Sequence, residues 1–129
     1  MSRGANQYLI LAAFYGLTAV ILGALGQHAF GLESGTQSYV LFQHAFFYQL
    51  IHALLLIWVA SQLHSGFWLQ AAAVALSLGV LLFCGGLYLL VFWGKTPLSL
   101  VTPFGGSLLI LGWLNVVIHG FQQLLKPKK

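Results

Sequence analysis

The chain has 129 residues, of which 5% carry a formal charge and 60% are hydrophobic, with a mean hydropathy of +0.92. A soluble domain devotes about a quarter of its residues to charge, so a water-facing surface is excluded and a membrane-embedded chain is expected. The net charge of +4 would suggest a polyanion partner in a soluble protein; here the basic residues stand at the chain ends and in one loop, which fits membrane topology and no nucleic-acid partner.

No Asp, Glu, Lys or Arg occurs between Arg3 and Glu33, between Glu33 and Lys95, or between Lys95 and Lys126. A helix crosses about 30 Å of hydrocarbon with roughly 20 apolar residues. Runs of that kind fall at 8–26, 40–60, 67–93 and 102–125. Polar or glycine-bearing breaks at 31–38, 61–66 and 94–99 separate them. The alternating pattern of barrel strands is absent, so helices are the expected spanning structure. The predicted fold is an all-α integral membrane protein, an antiparallel four-helix transmembrane bundle forming one domain over 1–129.

The first run carries Ala12, Gly16, Ala19, Gly23 and Gly26 at steps of four and three residues, one narrow helical stripe. Inside a bilayer such small residues let helix backbones approach closely. Arg3 and the small-residue end Ala24-Leu25-Gly26 also suit a signal peptide, but the apolar run is longer than a signal core. His28 closes this run. The second run places His44, Tyr48 and His52 at four-residue steps on one face, with Gln49 beside them. The third offers Ala71, Ala75, Gly79 and Gly86 for packing, then Tyr88; its Cys84 is the only cysteine, which excludes an internal disulfide. The fourth opens with Thr102, Pro103, Gly105 and Gly106 and continues with Gly112 and Gly120. Asn115, His119 and Gln122 follow toward its far end, where bridging helices or meeting headgroups suits them better than chemistry.

Four spans put both termini on one side, with Arg3, Lys126, Lys128 and Lys129; the other side has Lys95 alone among basic residues. The positive-inside rule then places both termini in the cytoplasm. His28, Tyr48, Gln49, His52, Tyr88 and Thr102 converge on the outer half of the bundle or its midplane. Polar groups at this depth face the bundle interior and find partners. Four readings of the cluster stand open: axial haem ligation by two histidines, a transition-metal site, a small cavity for a lipid headgroup or proton, and a hydrogen-bond network that locks the helices. No carboxylate or cysteine supports the metal reading. No phosphate loop, nucleophile elbow or HExxH is present, and the one carboxylate side chain, Glu33, lies in a loop. No enzymatic activity, catalytic residue, metal ligand or cofactor is expected.

Four strings, GALGQHA (23–29), FQHAFFYQLIHALLL (42–56), LFCGGLYLL (82–90) and TPFGGSLLILGW (102–113), resemble the YgdD/YwdK-like family of small four-span membrane proteins. That family is defined by a domain of unknown function and has small eukaryotic transmembrane relatives. Its pattern pairs G-A-x-G-x-H-A at the end of span one with Y-Q-x-x-H-A in span two. A small-residue pair and Tyr follow in span three, and T-P-x-G-G opens span four. The resemblance covers nearly the whole chain in order. It carries onto Gly23, Ala24, Gly26, His28, Gln43, Tyr48, Gln49, His52, Gly86, Tyr88, Thr102, Pro103, Gly105 and Gly106. His44 departs from the pattern, which has small or hydroxyl residues there. The resemblance implies a multi-pass protein of the bacterial inner membrane and no particular reaction. The expected function is that of a non-enzymatic accessory, scaffold or lipid-interacting protein. The alternative is a small oligomeric channel or transporter using the outer polar pocket; a haem- or metal-binding membrane protein comes third. Expected partners are membrane lipid and either further copies of the chain or a larger membrane complex.

Overall fold

The computed structural model describes residues 2–127; Lys128 and Lys129, two of the residues in the basic bias, lie outside the described residues. Four helices make up the fold: α1 (Arg3–His28), α2 (Gln37–Ser61), α3 (Phe67–Trp93) and α4 (Thr102–Leu125). Each is long and apolar enough to cross a membrane, and no strand occurs among the described residues.

The first two helices begin before the apolar runs that announce them. Ser2 caps α1 by accepting from the Ala5 N–H at 3.2 Å, and Thr36 caps α2 by accepting from the Tyr39 N–H at 3.2 Å. Such side chains satisfy the free N–H groups of the first turn. The polar residues Asn6, Gln7, Gln37 and Ser38 then lie in the helix but beyond the apolar stretch. A hydropathy profile stops short of them for that reason. Helix α3 is bounded by Gly66 (φ 131°) and Gly94 (φ 73°), backbone conformations that glycine adopts without strain. A 3-10 turn at Pro97–Val101, closed by reciprocal hydrogen bonds between Thr96 and Ser99, leads into α4.

Successive helices pack antiparallel, in the order α1, α2, α3, α4, with α3 held between α2 and α4. The small residues define the seams. Ala12 and Ala19 are wholly covered. A β-carbon at Gly16 would touch Ala53, one at Gly23 would lie 3.1 Å from the Phe46 ring, and one at Gly26 would run into the Phe42 ring. The α1 stripe thus faces α2. Between α3 and α4 the approach is closer. A β-carbon at Gly105 would sit on the Leu82–Phe83 backbone, 2.7 Å from the Leu82 carbonyl carbon. Gly112 receives Leu76 and Gly79 receives Leu109, each of which would lie 2.6 Å from a β-carbon added there, while Gly86 lies under the Thr102 side chain. Leu56, Val59, Leu69, Leu76, Val80 and Cys84 fill the centre, all on α2 and α3. Helices α2 and α4 both lie on α3 but do not pack on each other along their length, and a cleft opens between them.

Candidate functional site

Two polar clusters, not one, occupy the membrane depth of the bundle. The first centres on Gln49. Its Nε2 carries two hydrogens and donates to the Tyr15 carbonyl at 2.9 Å and to Thr18 Oγ1 at 2.7 Å, both on α1. Its Oε1 accepts from the Tyr88 hydroxyl on α3 at 2.8 Å. The Tyr15 hydroxyl donates onward to the Ser77 carbonyl at 2.9 Å, and Ser77 Oγ donates to the Ala73 carbonyl at 2.6 Å. Every donor and acceptor of the Gln49 amide is engaged, so its orientation is determined by its partners. The cluster joins α1, α2 and α3.

The second cluster centres on His52, three residues further along α2. His52 Nδ1 lies 2.7 Å from the Tyr48 carbonyl, and Trp113 Nε1 on α4 donates to His52 Nε2 at 3.1 Å. An indole N–H only donates. Nε2 therefore accepts, and the ring proton sits on Nδ1, where it is donated to the Tyr48 carbonyl. The imidazole is uncharged with both nitrogens occupied, which leaves no lone pair for haem iron or a metal while the Trp113 bond stands. Among the described residues, no three His, Cys, Asp or Glu side chains gather in metal-binding range.

His52 and Trp113 border the cleft between α2 and α4. It has a volume of about 560 Å³ and is lined by Tyr48, Ile51, Phe83, Gly106, Leu109 and Ile110 besides that pair. The Tyr48 ring stacks on His52 and lies across Phe83, with centroids 5.6 and 5.0 Å apart. Tyr48 remains 43% exposed, and its hydroxyl makes no hydrogen bond among the described residues. Gly106 keeps the α4 wall low: a β-carbon there would lie 3.4 Å from the Phe83 ring. Small ligands bind in clefts of about 300–1,000 Å³ lined mainly by apolar and aromatic groups. This cleft has that size and lining, and it opens sideways toward lipid.

The residues singled out from the sequence are thereby distributed. Gln49 and Tyr88 meet directly; Tyr48 and His52 line the cleft. His28 is exposed at the end of α1, apart from all of them, because α1 ends there and no later element covers that turn. Thr102 donates to the Ser99 carbonyl at 2.9 Å and packs on Gly86. His44 is exposed. His119 is buried and accepts from Gln123 Nε2 at 3.2 Å. Tyr15, Thr18, Ser77 and Trp113 do not stand out in the sequence reading. Tyr15 and Trp113 carried a usable signal, since a Tyr or Trp in the interior of a span usually finds a partner for its O–H or N–H.

Comparison with known proteins agrees with this architecture. Residues 22–106 match the model of a family described as "Protein of unknown function (DUF423)". A "UPF0382 membrane protein" of Haemophilus influenzae is 32% identical over 120 residues, covering 91% of this chain and 95% of that one. The "UPF0382 inner membrane protein YgdD" of Escherichia coli is 34% identical over 112 residues, covering 85% and 86%. A "UPF0382 membrane protein" of Staphylococcus aureus is 35% identical over 119 residues, covering 89% and 95%. No solved structure matches the chain. Four membrane-length helices, and relatives aligned over nearly their full length, make this chain a membrane protein that belongs to the DUF423 (UPF0382) family.

Proposed function

We propose that this chain is a non-enzymatic, lipid-interacting protein of the inner membrane, with both termini cytoplasmic, that holds a lipid chain in the α2–α4 cleft. The observation that carries the reading is the cleft itself: aromatic and aliphatic walls, an opening at membrane depth, and one free hydroxyl, Tyr48, at its edge. A hydrocarbon chain lying there fills space that helices α2 and α4 leave between them. The name of the Escherichia coli relative, an inner membrane protein, supports the location. The basic residues at the ends, against Lys95 alone in the opposite loops, support the orientation. A channel or transporter is less favoured, because the Gln49 cluster pairs internally and the spans carry no carboxylate.

Native mass spectrometry of the protein extracted from its own membrane tests the reading. The wild type should retain one lipid-sized adduct per chain through detergent washing. Gly106→Leu, which fills the cleft from α4, should lose it while keeping its helical content. Equal retention by both proteins, or none by the wild type, would sink the proposal. For the orientation, a C-terminal reporter active only outside the cytoplasm should stay silent; strong activity would reverse the topology.

A further inference from the structure

Asn115 stands near the middle of α4, and the hydrogen bond it makes is to its own helix. Its Nδ2 donates to the Leu111 carbonyl at 2.7 Å in an exposed position; among the described residues nothing donates to its Oδ1. At about 1.5 Å per residue it lies roughly 20 Å along the helix from Thr102 and about 15 Å from Leu125, so both ends of this membrane-length span, where water and headgroups lie, are out of its reach. A half-used amide in hydrocarbon is costly until another donor arrives.

The residue belongs to a pattern. Phe104, Leu108, Leu111, Asn115, Ile118 and Gln122 succeed one another at alternating steps of four and three, the a/d spacing of a coiled coil. None of the six is buried by the protein. Their strip is rotated away from the α3 seam at Gly105, Leu109 and Gly112, and also from the cleft-lining residues Gly106, Ile110 and Trp113. Helix α4 is last in the packing order, so no helix of the same chain covers this side.

We propose that the strip docks a second copy of the chain, α4 against α4, in a parallel two-fold dimer. Copies inserted with one topology can share a two-fold axis along the membrane normal, which sets each residue opposite its counterpart at equal depth. A carboxamide is its own complement. Of the two Nδ2 hydrogens Leu111 takes one, and the other reaches the Oδ1 of the facing Asn115, with the reciprocal bond completing the pair. Lipid tails have no donor to offer Oδ1. One asparagine among apolar a and d positions also fixes the register and favours two strands, and polar side chains of this kind join helices in membranes. The strip is separate from the cleft, so this proposal stands or falls independently of lipid binding there.

Cysteine scanning of the full chain in lipid vesicles tests the face. Leu111→Cys and Ile118→Cys should form disulfide-linked dimers on mild oxidation at least fivefold more than Ile110→Cys and Val117→Cys, which point elsewhere on α4. The native chain, whose Cys84 is buried, is the blank. Single-molecule photobleaching across protein-to-lipid ratios tests the amide: Asn115→Leu should weaken the dimer about three- to tenfold, with Asn115→Gln closer to the wild type. Both residues are acceptable on a lipid-facing helix, and the cross-linking pattern is read without altering Asn115. Equal cross-linking at all four positions, or a wild type that stays monomeric at every ratio, would overturn the proposal. An Asn115→Leu dimer as tight as the wild type would overturn the role of the amide pair.

Discussion

Gln49 and His52 lie less than one helical turn apart on α2 and are equally covered, each 5% exposed, yet their surroundings differ in kind. Gln49 faces the angle between α1 and α3, where Tyr15, Thr18 and Tyr88 occupy its whole amide. His52 faces α4, which is drawn onto α3 by glycine seams and leaves open space against α2. In hydrocarbon a polar residue is therefore not a site by its type alone. It becomes part of a lock where its partners use its whole amide, as at Gln49, which borders only a smaller cleft of about 190 Å³ between α1 and α3. It borders a larger binding space where a neighbouring helix stands further off.

The sharpest way to break this comparison is to disturb the seam that holds α4 away from α2. Gly105→Ala would drive a methyl group into the Leu82–Phe83 backbone. Neither side can yield without helix displacement, so the loss should be near 3 kcal/mol, the upper end for overpacking. Thermal unfolding in detergent should show it as the largest drop in the set. A melting curve equal to that of the wild type would mean that α3 and α4 do not meet at Gly105.

Next comes the Gln49 side. Gln49→Leu removes three hydrogen bonds and leaves the Tyr88 hydroxyl without its acceptor. Interhelical bonds in membranes average about 0.6 kcal/mol, and a stranded polar group adds to that, so about 2 kcal/mol should be lost. Lipid retention in the α2–α4 cleft should be unaffected, because neither Gln49 nor its partners Tyr15, Thr18 and Tyr88 line that cleft. A variant that kept its stability and lost bound lipid would invert the roles assigned to the two sides.

A smaller effect is expected on the open side. Trp113→Phe removes the one hydrogen bond found between α2 and α4 and should cost about 1 kcal/mol, near the range of single membrane hydrogen bonds. His52→Leu should be similar in size. Their main consequence should appear in the cleft, as altered lipid retention by native mass spectrometry. Unchanged retention in both would remove the pair from the binding site.

How far these two sides are legible in the sequence follows from what each is made of. Spans three and four appear at their full extent because apolar composition changes abruptly at Gly66 and Gly94, and because Pro103, just inside Thr102, signals a helix start. The starts of α1 and α2 are hidden, since Ser2 and Thr36 cap helices whose first turns are polar. Periodicity puts Tyr48 and His52 on one face and marks Gln49 beside them, but does not say which helix each will meet. Tyr15, Thr18 and Ser77 are harder still, because their partners include backbone carbonyls, which every residue possesses. Trp113 is masked by habit of type, as tryptophan in membrane proteins usually marks an interface. The standoff between α2 and α4 is set by glycine contacts elsewhere, on α3, so no local pattern announces the cleft.

The least disruptive change offers the finest discrimination. Gly106 adjoins Gly105 in sequence but faces the cleft, and its added methyl would meet only the Phe83 ring, at 3.4 Å. That is close to ordinary contact, and a flexible ring edge can yield a few tenths of an ångström. Alanine also suits a helix better than glycine, by up to about 1 kcal/mol in water. These terms oppose each other, so Gly106→Ala should leave stability within about 0.5 kcal/mol of the wild type. Its methyl nevertheless projects into the space assigned to a lipid chain, and retention should fall without being abolished. Gly105→Ala and Gly106→Ala thus form a matched pair: same substitution, adjacent positions, opposite readouts. If Gly106→Ala destabilises as much as Gly105→Ala, then α4 is packed on both sides and the cleft is closed in the membrane.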